Sequence, residues 1–411
     1  MEFKKLGEIA DILISNVDKK TKENEYPVKL CNFVDVYYNW SISSYHYQNL
    51  MNATATKQEI DKFSIREGDV AITKDSETRD DIGVSTYISE SLKNTLLGYH
   101  CVLIRPNKNV ILGKYLNIVL HSSYAQKYFE ANAGGSGQRY TLKDTIIKDM
   151  LIPIPSIEEQ EQLGNLANSI DKKIENNNKI NAKLESLAKT IYDYWFLQFE
   201  FPNEEGKPYK SSGGKMVWNE KLKREIPEGW EVIYLKDLFS FVKGKNPSNL
   251  SQSKTENCNS PYITIDVANL GEPSFCNPQD MIMCHEDVIM VMDGAASGDI
   301  YIGCKGVLGS TFSLLKIKND IVKKEELYMT LLSLKPIYKK CNKGSTVPHA
   351  NKEFIEQIAV PFPKKRTFDS KLEQIFKRIF ELRHENQNLS SLRDFLLPML
   401  MNGQISFSDD I

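Results

Sequence analysis

The feature that most constrains the fold of this chain is that it repeats itself. The tetrapeptide IPIP at residues 152–155 returns as VPFP at 360–363, each behind a polar, glycine-containing stretch and each ahead of a long amphipathic segment. After the first copy, Leu163, Leu166, Ile170, Ile180, Leu184, Leu187 and Ile191 fall on one helical stripe; after the second, Leu372, Ile375, Ile379, Leu382, Leu389, Leu396 and Leu400 do the same. Apolar residues stepping by threes and fours form a heptad seam, the pattern of helices that pack side by side. Asn177 and Asn386 take the same polar position in the two seams. Each alone reads as a solvated helix face; the matched phase gives equal weight to a buried pair that fixes register at some loss of stability. Ser156 followed by Glu159 is a capping box, so the first helix starts there and is predicted to run to about Phe199, roughly 60 Å at about 1.5 Å per residue.

Short alternating runs predict strands at similar places in each copy: residues 69–73 (DVAIT), 99–105 (YHCVLIR), 287–292 (DVIMVM) and 311–318 (TFSLLKIK). The expected fold is α+β: two domains with mixed sheets, separated by two long antiparallel coiled-coil spacer helices, as a pseudo-two-fold internal repeat. The divisions are residues 1–155 for the first domain, 156–200 for the first spacer helix, 201–230 for a connecting segment, 231–363 for the second domain, and 364–411 for the second spacer helix and tail. Packed about a pseudo-two-fold axis, such units hold two similar but unequal domains a fixed distance apart.

A chain of 411 residues exceeds one ordinary core. The N-terminus MEFKKLGEIADILIS lacks the apolar centre of a signal peptide, and no run reaches a membrane span, so a cytoplasmic protein without membrane contact is expected. The seven cysteines include no C-x-x-C pair and read as reduced, mostly buried thiols; Cys284 beside His285 has no second ligand pair at metal spacing. Net charge is −2, and basic and acidic residues balance, 19 of each over residues 1–155 and 20 of each over 201–363. A phosphate-binding face must therefore come from segregation of charge within each domain.

The junction after the first helix reads IYDYWFLQFEFPNEEGKPYKSSGGKMVWNEKLKREIPEGWEVIYL from Ile191. Its YWF-x-Q-F-x-FP, GKPYKSSGGKMV and IPEGWEV tracts resemble the central connection of the specificity subunit of type I restriction-modification systems. GSGQRYTLKDTIIKDMLIPIPSIEEQEQL, from Gly135, is similar to that family's exit from a recognition domain; GSTVPHANKEFIEQIAVPFP, from Gly344, is a looser copy without the Gln-Arg-Tyr and EEQ runs. The resemblance spans essentially the whole chain. It implies a subunit that does no chemistry itself and reads an asymmetric two-part sequence of double-stranded DNA, one part per domain. Two methyltransferase subunits would dock on the helices, and restriction subunits would join through that core. S-adenosylmethionine, ATP and Mg would belong to those partners, with no cofactor in this chain.

The residues agree that catalysis lies elsewhere. Gly214-Lys215 is followed by Met216 and Gly244-Lys245 by Asn246, so no phosphate-cradling G-x-x-x-x-G-K-[ST] loop exists. The nearest string to an adenine-methyltransferase N-P-P-[YF] tetrad is Asn246-Pro247-Ser248-Asn249, a turn. The six histidines show no H-E-x-x-H spacing, and neither a catalytic nor a metal residue is assigned.

A DNA reader needs cations and small polar groups for phosphates and bidentate side chains for base edges. The first domain offers Ser136, Gln138, Arg139, Tyr140 and Lys143 behind a glycine pair, where the bland alternative is a plain surface loop, and a second polar run with Lys74 and Arg79. The second offers the turn Lys243, Lys245 and Asn246 and the stretch Lys343, Ser345, His349 and Lys352. The charge runs Asp171, Lys172, Lys173, Glu175 and Lys377, Arg378, Arg383 read as solvated faces, which the resemblance would turn toward the methyltransferases. A coiled-coil scaffold whose domains bind protein rather than DNA stays open; affinity that falls steeply with salt separates the two.

Overall fold

The computed structural model describes residues 2–135, 139–269, 271, 273–343, 348–364 and 371–406. The chain divides into two compact units, Met1–Lys179 with Arg383–Ile411, and Ile180–Leu382.

The first unit opens with Glu2–Lys5, paired antiparallel with Leu151–Ile154 so that Glu2 faces Ile154. This pairing places the IPIP tract. In a two-stranded ribbon every strand has a free edge, which is where prolines, having no N–H, are tolerated. The one-turn helix Leu6–Ile9 buries Leu6 and Ile9. The chain then enters a five-stranded sheet in the order Ala10–Ile14, Cys101–Pro106, Val70–Thr73, Ser85–Ile88, Ser41–Ile42, antiparallel except for the last pair. Val70–Thr73 is buried at every position. Successive strand residues face opposite sides. Val70 and Ile72 therefore join Leu116, Val119 and Phe129 on one face, while Ala71 joins Val36, Ile42 and Leu97 on the other. A second sheet, Met51–Ala55, Tyr26–Cys31, Thr95–Leu97, has one antiparallel and one parallel pairing.

The second unit repeats this plan. Trp230–Tyr234 pairs with Ala359–Pro363, the VPFP strand, with Trp230 facing Pro363. The turn of helix Leu235–Leu238 buries both leucines. A four-stranded antiparallel sheet follows in the order Phe239–Lys243, Phe312–Ile317, Ile289–Val291, Ile300–Tyr301, matching the first four strands of the larger sheet in unit one. The other sheet runs Phe275–Cys276, Ser260–Ile263, Lys305–Leu308, Met283–His285; Ser260–Ile263 lies parallel to Lys305–Leu308, as Tyr26–Cys31 does to Thr95–Leu97.

The capping box closes the first long helix: Ser156 N–H donates to Glu159 Oε2 at 2.8 Å and Glu159 N–H returns to Ser156 Oγ at 3.2 Å. The α-helix is Ile157–Tyr192, continued by a π turn, Asp193–Leu197. It stops short of Phe199 because aromatic packing takes over: Phe196, Phe199 and Phe201 set their rings 6.1, 5.2 and 5.3 Å from that of Trp230. Phe199 reaches its place with φ +65°. The YWF-x-Q-F-x-FP tract is therefore a packing device.

The apolar stripe on this helix is not the one that large side chains alone predict. Ile180 and Leu187 are exposed at 42% and 47%, whereas Ala167, Asn177, Asn181 and Ala188 are buried with Leu163 and Ile170. Positions 163, 167, 170, 174, 177, 181, 184 and 188 alternate four and three without a break. Small and amide residues fill the places where the helices approach closely. On the second long helix, Leu372–Met401, the predicted stripe holds over its first half, where Leu372, Ile375, Ile379 and Leu382 are buried; further on Leu389, Leu396 and Leu400 are half-buried and Leu397 takes the buried place. Within the first unit Leu163 shares a core with Leu397 while Asn177 meets Asn386, so the two helix segments run antiparallel. In the second, Ala188 and Tyr192 share a core with Leu372 and Ile375.

Candidate nucleic-acid interface

In the first unit the central strand Val70–Thr73 delivers Lys74 and Asp75 to the sheet's end. Asp75–Ser76 pairs with Tyr140–Thr141, which pairs with Gly134–Gly135. Gly135 has φ +133°, and a Cβ there would stand 2.2 Å from the Arg139 carbonyl oxygen, so this tight ribbon requires glycine. Its effect is to bring Arg139 and Tyr140 to Asp75. His100 Nδ1 lies 2.5 Å from Asp75 Oδ2. An Arg139 guanidinium nitrogen is 2.8 and 3.1 Å from the two His100 ring nitrogens and 3.7 Å from the same carboxylate oxygen. Lys74 Nζ is 4.0 Å from Asp75, and the Arg79 guanidinium sits 5.1 Å from the Tyr140 ring centroid. Burial pushes the Asp75 carboxyl up, but hydrogen bonds from Thr141 and His100, with Lys74's charge, outweigh it and hold Asp75 below the usual carboxylate range.

Lys74, Arg79, Arg139 and Tyr140 are thus brought together. Lys143 stands apart and exposed, just before the helix Asp144–Asp149. Ser136 and Gln138 lie outside the described residues.

The second unit builds the same grouping from a different stretch of chain. Asp287-Val288 through Asp293 repeats Asp69-Val70 through Asp75, so Asp293 leaves Ile289–Val291 as Asp75 leaves its strand. His349 forms isolated β-bridges with Asp293 and Lys343. Its Nδ1 is 2.8 Å from Asp293 Oδ1, and Lys243 Nζ is 3.7 Å from Asp293 Oδ2. Lys343 Nζ donates to Glu353 at 2.7 Å, and Lys352 lies 5.4 Å from the Phe241 ring, on the strand that ends at Lys243. Lys245 and Asn246 belong to another neighbourhood. Lys245 donates to the Asp280 carbonyl at 3.1 Å, and Asn246 Oδ1 accepts from Tyr262 and Ser310 at 3.1 and 2.6 Å. Ser345 lies outside the described residues. Asp75, His100 and Asp293 are absent from the sequence-derived candidates, although the recurrence of D-V-x-x-x-x-D marks both aspartates.

Residues 1–186 and 227–391 match the model of the family described as type I restriction modification DNA specificity domain. The chain belongs to that family. It is 26% identical over 72% of its length to the MjaIX specificity subunit of Methanocaldococcus jannaschii, covering 70% of that protein. With the HindI specificity subunit of Haemophilus influenzae it shares 24% identity, covering 97% of this chain and 98% of the other. The crystal structure of the S subunit from M. genitalium has the same fold: TM-score 0.53 at 17% identity, covering 96% and 94% of the two chains.

This specificity chain is the DNA-targeting, non-catalytic component of its restriction-modification complex. Among the described residues no group of three or more His, Cys, Asp or Glu could hold a metal ion, and no helix is long and apolar enough to cross a membrane. Cys284 and His285 are neighbours on one strand and face opposite sides, Cys284 buried and His285 exposed. The helix asparagines come together: Asn177 Nδ2 donates to Asn386 Oδ1 at 2.9 Å and to Glu385 at 3.0 Å, and Asn386 Nδ2 donates to Asn178 at 2.8 Å.

Proposed function

We propose that each unit reads one part of a two-part target in double-stranded DNA, with the Asp75 and Asp293 clusters facing the duplex. The exposed surfaces of the two long helices would receive two methyltransferase subunits. S-adenosylmethionine, ATP and Mg act in the partner subunits, restriction subunits join through the methyltransferase–specificity core, and the assembly works in the cytoplasm beside the genome. The observation that carries this reading is the recurrence of one polar grouping, a carboxylate with a histidine and a cation, at the same end of the same strand in both units. The surrounding side chains differ, Arg139 and Tyr140 in one against Lys243 and Lys343 in the other, as two different half-sites require.

The test is the methylated motif found by sequencing genomic DNA with and without this chain. Arg139→Ala should lower discrimination within one half-site by about 1–3 kcal/mol while leaving the other half intact. Lys143→Ala should weaken binding to all sequences and flatten the salt slope. A complex whose DNA affinity ignores salt and sequence would sink the reading in favour of protein-binding domains.

A further inference from the structure

A carboxylate at the centre of a phosphate-facing cation cluster opposes binding unless it does something else. Asp75 is tucked under its cluster, its side chain 13% exposed, while the Arg139 side chain that reaches back to it is 61% exposed. A guanidinium on a free surface arm loses much rotamer freedom when it docks on a base edge, and one already held by a carboxylate loses less. His100 adds a second sign of construction. Its backbone has φ +71°, a region in which non-glycine residues are uncommon, and that conformation sets its ring between Asp75 and Arg139.

The second unit gathers the same three kinds of group by another route, with His349 on Asp293 Oδ1 and Lys243 on Oδ2. His100 comes from just before the strand Cys101–Pro106, whereas His349 comes from the segment ahead of the helix Lys352–Glu356; only the aspartate occupies the same place in the repeat. Two chain paths converging on one carboxylate–imidazole–cation grouping argue for a role that the shared scaffold alone does not demand.

We infer that Asp75 and Asp293 are positioning residues for sequence readout: each carboxylate aims one imidazole and one cation at its half-site, giving up raw affinity for selectivity. The inference rests on the reading that these clusters face DNA. It separates two quantities that a loss of structure would lower together. Removing the negative charge with Asp75→Asn should strengthen binding to unrelated duplex by about two- to fivefold, because a repulsion from phosphate disappears. The same change should lower discrimination within the first half-site by about tenfold, because Arg139 and His100 lose their anchor.

The experiment uses the full chain in complex with the methyltransferase subunit of its own system, after the methylated motif has been determined. Affinities are measured for the cognate duplex, for duplexes altered in one half-site, and for unrelated duplex. Asp75→Asn should relax the first half-site only, and Asp293→Asn the second only. Should Asp75→Asn impair folding, Asp293→Asn carries the test at the more exposed carboxylate, 36% accessible in its side chain. Discrimination kept within about twofold in both variants, or lost in both halves together, overturns the inference. A wild-type complex indifferent to both half-sites overturns the DNA reading and the inference with it.

Discussion

The two units share strands, pairing partners and the order of their sheets, yet they keep their charge in different places. In the first, Asp69 is buried and takes Arg105 Nε and Nη2 at 2.9 and 2.8 Å and the Arg66 N–H at 2.9 Å. Its counterpart Asp287 is only half-buried and accepts the backbone N–H of His285 at 2.8 Å. The first unit stacks His121 on Trp40, ring to ring at 4.2 Å, and the Trp40 ring centroid lies 3.9 Å from the Arg393 guanidinium. In the second, His349 lies instead against a carboxylate, its Nδ1 2.8 Å from Asp293 Oδ1. At the proposed interface a planar guanidinium faces Asp75, where a single ammonium faces Asp293. The lesson is that apolar strand pairing preserves the scaffold while polar insets vary independently upon it.

The difference predicts unequal damage. Asp69→Ala takes the carboxylate from the half-buried Arg105, which keeps only the Ser64 carbonyl at 3.0 Å, and should destabilise the first unit by about 2–3 kcal/mol, whereas Asp287→Ala should cost about 1 kcal/mol. Urea midpoints of the two variants decide this, and equal losses would break the comparison.

A second difference is written in pH. Desolvation of the ring packed on Trp40 first, with Arg393's charge adding, pushes the His121 imidazole down to about 4. The unfolded chain takes up this proton near pH 6.5, as an ordinary imidazole does, while the folded chain refuses it until about 4. Stability is therefore full above about 6.5 and drains away as pH falls toward 4; because His121 is exposed, solvent screening holds the loss to about 1 kcal/mol or less. Asp171, whose carboxyl burial raises, works with the opposite sign. Comparing wild type with His121→Gln, which keeps a donor for the Ser85 carbonyl, isolates the imidazole. A stability profile as steep in the variant as in the wild type would refute it.

The smallest expected effect sharpens the comparison at the interface. Arg139→Lys exchanges a two-pronged donor for a point charge and should cost about 1 kcal/mol of discrimination in the first half-site; Lys243→Arg should change the second by less. Binding to duplexes altered in one half-site reads both.

Much of the scaffold was legible in the sequence because it rests on periodicity. The IPIP and VPFP tracts announced two equivalent closing strands, Ser156 and Glu159 the helix start, and the second seam its buried face. The first seam was misread at Ile180 and Leu187 because close helix contact favours small residues, and Ala167 and Ala188 carry no hydrophobic signal strong enough to compete. At the proposed interface, residue type pointed to Lys74, Arg79, Arg139 and Tyr140, which do converge. Cation-seeking logic passed over Asp75 and Asp293 because a carboxylate looks wrong beside phosphate. His100 escaped it as well: the ribbon that brings residue 139 to residue 100 is a tertiary event that no local pattern encodes.

The two ribbons, one in each unit, have an evolutionary consequence. Glu2–Lys5 lies against Leu151–Ile154, and Trp230–Tyr234 against Ala359–Pro363, so the chain enters and leaves each unit side by side. Everything between the two strands is, topologically, one long loop hung from a clasp. The long helices also touch that interior, through Ser41 on Asp171, Ser43 on Glu175, Leu112 on Gln160 and Tyr192 on Thr330, so a foreign interior grafted in by recombination must close the same short ribbon and keep such contacts. On the proposed reading, replacing residues 6–150 or 235–358 as blocks would then exchange one DNA preference for another while leaving the long helices unaltered, so new specificities can arise by shuffling whole inserts rather than by accumulating point changes.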